Sequence, residues 1–350
     1  MYKFNDLKVS CDWISFTADV ENVTALMDLF GFMPDMFKNM NHGAQGYKAM
    51  LRHESHEITL LYDGSEGMGV HCDIKGSAVS YFIECFKNTL LVPNPYDDGE
   101  CYEVPDFSDL DNIVRLVYQK VLSVGWFTRL DIAIDDIGCN YFTCQSVFNV
   151  LKNCNYVSKF RKWEADVSYD KNVEYLGYTI YCGARKDSEI FLRIYDKRLE
   201  QLKKNNTADL PDWVRWEFEL KSGRADNFAK YIIAGNDFGC SAMALLNNYM
   251  RFVVPDDVNK SRCSSLPDWE RFVGDVGKLR LAAPKKEKSV DKARDWIKRQ
   301  CLPTIAGLCV ADGGTLDFLT KDLLKHYDRL SLSDKLMYQE YLFQTSGLNK

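Results

Sequence analysis

Three segments of this sequence alternate charged and apolar residues with a period of two, and this pattern constrains the fold more than any other feature. They read RLDIAID at residues 129–135, IFLRIYDK at residues 190–197 and RWEFEL at residues 215–220. Because successive side chains of a β-strand point to opposite faces of a sheet, each segment predicts a strand with one apolar and one charged face. The sequence therefore predicts a sheet with one apolar face that packs against a core and a second face that carries charged side chains.

Short strand patterns and helical patterns alternate through the first 235 residues. Strands are predicted at residues 9–17, 47–51, 57–62, 68–74 and 178–182, and helices at 76–90, 109–124 and 143–154. After residue 235 the pattern becomes helical, at residues 290–301, 314–327 and 333–343, and APKKEK at residues 283–288 is typical of a linker. The α+β class follows, with one domain over residues 1–235 and a smaller helical domain over residues 236–350.

The net charge of −6 argues at first sight against a nucleic-acid partner, because DNA-binding domains usually carry a basic excess. However, residues 94–112 hold seven acids and no lysine or arginine, so the other residues together carry a net +1. Basic clusters lie at residues 185–204, with a local +3, and at residues 285–299, with a local +4. Each cluster is either a solvated surface or a binding surface for an anionic partner.

Several other classes are excluded by composition. The twelve cysteines are scattered without a C-x-x-C pair, which excludes zinc-ribbon spacing, and their density is below that of a disulfide scaffold. The first residues lack a charged segment followed by an apolar one, and no run of about 18 apolar residues exists. We therefore expect no signal peptide, no membrane-spanning helix and a cytoplasmic chain with reduced thiols.

Paired carboxylates stand out on two of the charged strand faces. Asp131 and Asp135 share one face, and two carboxylates on a central strand repel each other unless a cation lies between them. Glu217 and Glu219 share a face of another strand. If the strands are neighbours, four oxygen donors converge, and such sites suit Mg²⁺ or Mn²⁺. The alternative is a set of ordinary acids on an exposed sheet.

Tyr195 lies between Arg193 and Lys197. Nearby cations favour the phenolate form of tyrosine, so Tyr195 is a candidate nucleophile. The alternative is a tyrosine that anchors a strand end through its hydroxyl. Tyr178 and Tyr181 compete for the same role, because their strand leads into the turn before Tyr195.

Four strings in order carry a resemblance to a known family: DWISFT (12–17), GWFTRLDIAIDD (125–136), YCGARKDSEIFLRIYDK (181–197) and WVRWEFELK (213–221). They resemble the replication initiation factor family, the trans-acting rolling-circle initiators of plasmids and filamentous phages, with related relaxases of conjugative elements. The last third of the chain has no matching motif. The resemblance implies a mainly antiparallel sheet with flanking helices, a catalytic DNA-nicking domain over residues 1–235, and a helical domain that binds DNA or a partner.

The resemblance also implies residue roles. The tyrosine of the family string R-I-Y-[DN]-K is Tyr195 here, and it would attack a phosphodiester to give a 5′-phosphotyrosyl intermediate. Arg193 and Lys197 would stabilise the developing negative charge. A Mg²⁺ or Mn²⁺ ion would polarise the phosphate. The expected metal ligands are Asp131, Asp135, Glu217, Glu219 and Asp73, and the expected DNA-binding residues are Arg185, Lys186 and Arg198. His71 is more typical of a sheet histidine than of a ligand, and the chain has no His-x-His.

DNA is the partner that the resemblance implies, as a replication origin in single-stranded or extruded hairpin form, together with host helicase and polymerase in a bacterial cytoplasm. We expect no membrane partner, and a homodimer stays open. We also expect the acidic strip at residues 94–112 to lie away from the DNA path. The alternatives are a relaxase of a conjugative element, a metal-dependent nucleotidyltransferase and a non-catalytic DNA-binding protein of the same fold.

Overall fold

The structure is a computed structural model. It describes residues 2–4, 6–90, 110–169, 171–172, 175–186, 188–205, 210–281, 289–317, 319, 326–327 and 329–346. The acidic strip predicted at residues 94–112 lies outside the described residues up to residue 109, and its last three residues begin a helix. Lys285, Lys286 and Lys288 of the second basic cluster also lie outside the described residues.

Strands form the frame of the molecule. In chain order they are β1 (Tyr2–Phe4), β2 (Leu7–Ala18), β3 (Phe37–Asn39), β4 (Ala49–His53), β5 (Ile58–Tyr62), β6 (Val70–Lys75), β7 (Gly125–Ile137), β8 (Tyr156–Ser158), β9 (Trp163–Tyr169), β10 (Tyr175–Cys182), β11 (Ile190–Asp196), β12 (Trp213–Lys221) and β13 (Met250–Phe252). Within the described residues, one antiparallel sheet runs β3-β4-β5-β6-β2-β7-β12-β11-β10-β9, and β1 pairs with β2. β8 pairs with β13. The predicted α+β class with a mainly antiparallel sheet is confirmed.

Helices pack around this sheet. They are α1 (Val23–Phe30), α2 (Ala78–Leu90), α3 (Leu110–Val124), α4 (Cys144–Lys152), α5 (Lys197–Asn205), α6 (Gly223–Ile233), α7 (Phe238–Tyr249), α8 (Pro267–Val273), α9 (Val290–Trp296), α10 (Leu302–Ala311) and α11 (Leu332–Ser346). Among the described helices, none is long and apolar enough to cross a membrane. The cysteines in the described ranges are free thiols.

The two faces of the sheet follow the period-two pattern. Leu130, Ile132 and Ile134 of β7 are fully buried, and α3 and α6 pack against this strand. Burying each of these side chains stabilises the fold by roughly 1.5–3 kcal/mol relative to exposure. The alternate residues of β7 lie on the opposite face. We call this second face, where it is formed by β2, β7, β12 and β11, the charged face.

Asp136 follows Asp135 directly and points to the apolar side of the sheet, where it is fully buried. Its carboxylate accepts hydrogen bonds from the backbone N–H groups of Asn140, Tyr141 and Phe142 at 2.8–3.1 Å. These bonds fix the turn that leads into α4. Burial of this acid is offset because both carboxylate oxygens have donors.

The chain divides into two compact units, Met1–Ala283 and Pro284–Lys350. This division lies after residue 283, whereas the sequence predicts a boundary after residue 235. The reason is that α7 and α8, which follow residue 235, add Phe238, Leu246, Trp269 and Phe272 to the same hydrophobic core as the sheet. The second unit holds the helices α9, α10 and α11, so helices do prevail at the C-terminal end.

Candidate active site

Strand register brings the predicted residues of β11, β12 and β7 into rows across the charged face. Antiparallel neighbours on one face of a sheet have Cβ atoms about 4.5–5.5 Å apart, so each row is a chain of contacts. The rows are Phe191–Glu219–Asp131, Arg193–Glu217–Ala133 and Tyr195–Arg215–Asp135. The side chains predicted at Asp131, Glu217, Glu219, Arg193 and Tyr195 therefore do meet on one surface.

Tyr195 lies at the centre of a hydrogen-bonded group. Its hydroxyl donates to Glu217 Oε2 at 2.9 Å and accepts from Lys197 Nζ at 3.3 Å. Arg193 pairs with the other oxygen of Glu217, and its guanidinium carbon lies 4.9 Å from the centre of the Tyr195 ring. Lys197 also pairs with Glu200 at 2.8 Å. The phenol thus has a carboxylate acceptor and two cations around it.

The protonation of Tyr195 differs from the expectation drawn from its neighbouring cations. Burial, and secondly the negative charge of Glu217, raise the pKa of Tyr195 above its ordinary value, and Arg215 and Arg193 do not outweigh them. The neighbouring arginines lower the pKa of Tyr195 in the expected direction, but the net shift is upward, so the phenolate is not the favoured form. The tyrosine keeps its proton, and the nearby carboxylate of Glu217 is placed to accept it.

Asp131 and Glu219 share Arg129. The guanidinium binds both oxygens of Asp131, with Nε at 2.7 Å, and also lies 2.9 Å from Glu219 Oε2. Glu219 is further paired with Lys221 at 2.8 Å and with Arg185 at 3.3 Å. Two acids and three cations therefore form one network beside the tyrosine.

The two acids of this network differ in pKa. Burial raises the pKa of Asp131 to about 7, and the charges of Glu217 and Glu219 add to the effect of burial, while Arg129 opposes it. Burial alone would raise the pKa of Glu219 as well, but Lys221 and Arg129 outweigh burial and hold this pKa below its ordinary value. Asp131 is therefore the acid of this network whose ionised form is disfavoured, mainly by burial.

Asp135 is fully engaged by other side chains. It accepts from Arg215 Nε at 2.6 Å, from a second nitrogen of Arg215 at 2.9 Å, and from Trp213 Nε1 at 2.8 Å. Arg215 reaches Asp12 at 2.9 Å as well. This geometry favours a positioning role, in which Asp135 holds Arg215 beside Tyr195, over the predicted role as a metal ligand.

Asp73 lies on β6, which β2 separates from β7. Its carboxylate accepts from Trp13 Nε1 at 2.5 Å and from the Ser15 hydroxyl, and it pairs with Lys75 at 2.9 Å. Two strand spacings amount to about 10 Å, so Asp73 is not brought into the Asp131 group. The indole of Trp13 lies between the two regions, with the Arg129 guanidinium 3.6 Å from its ring centre.

His71 bonds to Thr17 Oγ1 at 3.1 Å, and burial lowers its pKa. It therefore has the environment of a sheet histidine, as the sequence suggested. Tyr178 is buried on the apolar side of the sheet, where Cys144 Sγ contacts its carbonyl oxygen. Tyr181 is on the charged face, in register with Arg193, and stacks on Phe191. Of the two competitors to Tyr195, only Tyr181 shares its face.

The predicted DNA-binding residues lie in different settings. Lys186 is exposed in the turn after β10, and Arg185 reaches Glu219 from the same turn. Arg198 donates to the Leu210 carbonyl at 2.8 Å and therefore braces the chain before β12. Arg185 and Lys186 are close to the charged face, whereas the bonding of Arg198 is structural.

Sequence reasoning missed the arginines that organise the site. Arg129 and Arg215 were identified as sharing a face with the acids, but not as their partners. Trp213 and Asp12 were missed as well. The signal was present, because both arginines follow the same period of two as the carboxylates.

The donor set suits a divalent cation in kind. Asp131, Glu217 and Glu219 are carboxylates on adjacent strands, and a bound cation would favour the ionised form of Asp131, which burial disfavours. In the part of the chain that the structure describes, no three His, Cys, Asp or Glu side chains converge on a point that would hold an ion. Arg129 and Arg193 hold these carboxylates instead, so a metal would require their side chains to move.

The fold and the site together define a class of protein, the rolling-circle replication initiators and relaxases. Residues 125–325 match the family described as Replication initiation factor. A putative DNA relaxase, NicK, of Bacillus subtilis (strain 168) is 33% identical over 337 residues, which cover 93% of this chain and 84% of that protein. The chain belongs to the replication initiation factor family.

A solved structure supports the same assignment. The rolling circle replication initiator protein from Geobacillus stearothermophilus has a TM-score of 0.62 and 25% sequence identity to this chain. The similarity covers 79% of this chain and 99% of that protein. The predicted family and fold are confirmed.

Proposed function

We propose that this protein nicks and rejoins one DNA strand at a specific site through a covalent link to Tyr195. The observation that carries the proposal is the hydrogen bond of 2.9 Å from the Tyr195 hydroxyl to Glu217, inside a group that also holds Arg193 and Lys197. A buried nucleophile, a base in contact with it and cations for a phosphate are the parts that phosphoryl transfer to a protein hydroxyl needs.

In the first step, the Tyr195 oxygen attacks phosphorus and its proton passes to Glu217. The bond between phosphorus and the 3′ oxygen breaks, and this oxygen takes up the proton held by Glu217, relayed through solvent, and leaves as a hydroxyl. Lys197 and Arg193 stabilise the charge that develops on the phosphate oxygens. The product is a 5′-phosphotyrosyl bond and a free 3′ end that primes synthesis. Attack by a 3′ hydroxyl on the same bond reverses the step and rejoins the strand.

Asp131 and Glu219, with Glu217 beside them, would hold a Mg²⁺ or Mn²⁺ ion. When bound, the ion would polarise a non-bridging phosphate oxygen. Asp135 would act through Arg215, by keeping that cation beside the tyrosine. Arg185 and Lys186 would bind the DNA backbone at the edge of the charged face.

Two biological roles use this chemistry. Initiation of rolling-circle replication is favoured by the family and by the name of the Geobacillus stearothermophilus structure. Transfer of a conjugative element is favoured by the similarity to a putative DNA relaxase over 93% of the chain. Both roles require DNA as the partner and one covalent intermediate, so one biochemical test addresses them together.

The test is adduct formation on supercoiled DNA that carries the origin of the protein's own replicon, with Mg²⁺ or Mn²⁺ added. We expect wild-type protein to give nicked circles and a protein–DNA band that survives denaturation. Tyr195→Phe should give neither, because it removes the attacking oxygen and little else. Tyr181→Phe is the matched control, since it lies on the same face, and it should retain both products.

Other outcomes would contradict the proposal. An adduct formed by Tyr195→Phe but lost in Tyr181→Phe would transfer the role to Tyr181. Incorporation of nucleotide without an adduct would indicate a nucleotidyltransferase. Retarded DNA mobility without nicking would indicate a non-catalytic DNA-binding protein.

A further inference from the structure

A cavity of about 590 Å³ opens on the side of the sheet opposite to the charged face, at the end where β11 stops and β12 starts. Its walls are rich in aromatic side chains. They are Phe148, Tyr169, Tyr175 and Tyr178. A volume in this range is typical of pockets that enclose a small organic group. We call it the aromatic cavity.

The charged groups among the lining residues of the aromatic cavity are carboxylates. Asp196 and Asp212 are among the lining residues, and the described residues that line it include no lysine or arginine. Burial raises the pKa of Asp196, which also caps α5 by accepting from the Leu199 N–H at 3.1 Å. A phosphate would be repelled here, whereas a flat ring that carries N–H donors would be accommodated.

The aromatic cavity is connected to the candidate active site through the strands themselves. Asp196 directly follows Tyr195 on β11 and lies on the other face. Trp213 borders the cavity at the start of β12, while its indole N–H donates to Asp135 on the charged face at 2.8 Å, and Asp135 holds the arginine that is in register with Tyr195. The cavity therefore begins at the end of the sheet that carries the tyrosine.

Two of its tyrosines are unusually exposed for aromatic residues at a strand end. Tyr169 is 57% exposed and Tyr175 is 43% exposed, and their ring centres lie 6.2 Å apart at the mouth of the cavity. Their side chains contribute little to the core, so a structural role does not explain them. Exposed aromatic rings beside a nucleic-acid site are suited to stacking of bases.

We propose that the aromatic cavity binds one nucleobase of the single-stranded DNA close to the scissile phosphate, and that it prefers a base with an exocyclic amino group. This inference rests on the nicking function proposed above and deepens it by naming a second contact with the substrate. The base stacks on Tyr169 and Tyr175, and its amino group donates to Asp212 or Asp196. A carboxylate that accepts from the cytosine N4 amino group is an established form of base recognition.

This contact has a function in the reaction. A base held on the far side of the sheet end fixes the DNA strand where it passes Tyr195, and the phosphate is then presented in one register. The cavity contributes specificity for sequence, which the cations of the charged face do not distinguish.

The experiment measures binding in the Tyr195→Phe background, so that no covalent adduct forms. The probes are fluorescein-labelled oligodeoxycytidine, oligothymidine and an abasic oligonucleotide of equal length, followed by anisotropy. The test variant carries Tyr169→Ala and Tyr175→Ala. The control carries Tyr231→Ala, which removes a tyrosine that is 38% exposed on α6.

We expect the double variant to bind oligodeoxycytidine about tenfold more weakly, because stacking of one base is lost, and to bind the abasic probe unchanged. Tyr231→Ala should change neither affinity. Asp212→Asn should reduce the preference for oligodeoxycytidine over oligothymidine severalfold. Asp28→Asn, which removes an exposed acid of α1, should leave that preference intact.

Equal affinity of the double variant and its parent for oligodeoxycytidine would overturn the proposal. So would an equal loss on the abasic probe, since that loss would report on the backbone rather than on a base. If the protein with Tyr195 intact still forms its adduct in either case, only the cavity assignment fails. If wild-type protein forms no adduct on origin DNA, the nicking function itself fails.

Discussion

Asp131 and Asp135 lie four residues apart on the same face of one strand, yet their negative charges are compensated to different degrees. Asp135 is held by both Arg215 and Trp213, so its charge is compensated. Asp131 has one arginine, which it shares with Glu219, and burial raises its pKa to about 7. On the charged face, the pair of Asp135 with Arg215 is therefore a positioning contact beside Tyr195, while the rows of Asp131 and Glu217 hold the acids that could bind a cation or accept a proton.

We expect the largest effect in the activity of variants from two rows of the charged face, the row of Glu217 and the row of Asp135. Glu217→Gln removes the acceptor of the Tyr195 proton, so we expect the rate of adduct formation on origin DNA to fall about 100- to 10,000-fold. Asp135→Asn keeps the shape of the other row and should cost less than a tenth of that factor. Single-turnover kinetics of the two variants, matched for folded fraction by circular dichroism, measure the difference. Equal losses of rate would show that Glu217 and Asp135 contribute equally to adduct formation.

A second experiment compares Asp131 with Asp135 by stability instead of activity, and here we expect the larger effect at Asp135. Asp135→Ala leaves Arg215 buried without its main partner, and breaking such a pair costs about 3–5 kcal/mol of unfolding free energy. Asp131→Asn removes a charge that burial already disfavours and leaves Arg129 paired with Glu219, so we expect a change below about 1 kcal/mol. Urea unfolding of both variants gives the two values. A larger loss of unfolding free energy for Asp131→Asn than for Asp135→Ala would show that Asp131 contributes more to stability than Asp135.

The smallest effect is a dependence of stability on pH. The carboxyl of Asp131 has a pKa of about 7 in the folded protein against a reference of 3.8, so the folded state binds this proton more tightly. Its contribution to stability is therefore full below the reference pKa and is lost as pH rises through the folded value. Relative to Asp131→Asn, wild-type protein should be more stable at pH 5 than at pH 8.

Glu219 is a control for that measurement, because its contribution to stability should change with pH in the opposite direction. Its pKa is lowered, so its contribution is present above the reference value of 4.5 and is lost as pH falls below it. Relative to Glu219→Gln, wild-type protein should lose stability on acidification. Both series are run with chelator, so that metal binding does not contribute. The same sign for both acids would show that their surroundings are not different.

Much of the fold and part of the site could be predicted from the sequence. The period of two in β7, β11 and β12 correctly assigned each charged residue to one face, because strand geometry fixes that relation. The family string indicated Tyr195, whose role as the nucleophile stays a prediction. What a strand pattern does not contain is register, and register decides that Tyr195 faces Arg215 while its hydroxyl reaches Glu217.

The remaining differences have the same kind of cause. Asp73 was predicted with the other acids, but strand order is not encoded in a local pattern, and β2 lies between them. The protonation of Tyr195 was misjudged because cations next to it in sequence were counted while burial was not. The predicted boundary after residue 235 differs from the division after residue 283 because the helices that follow residue 235 look separate in sequence, although α7 and α8 add to the core of the sheet.

The adjacent acids Asp135 and Asp136 have a consequence for how this family can change. Asp135 pairs with Arg215 on the charged face, and Asp136 accepts hydrogen bonds from the turn before α4 on the opposite side. Inserting or deleting one residue within β7 would send each acid to the wrong face and bury Arg215 against leucine and isoleucine side chains. Evolution can therefore replace residues along this strand, but it has to conserve the number of residues, and we expect length variation among relatives to fall in the loops on either side.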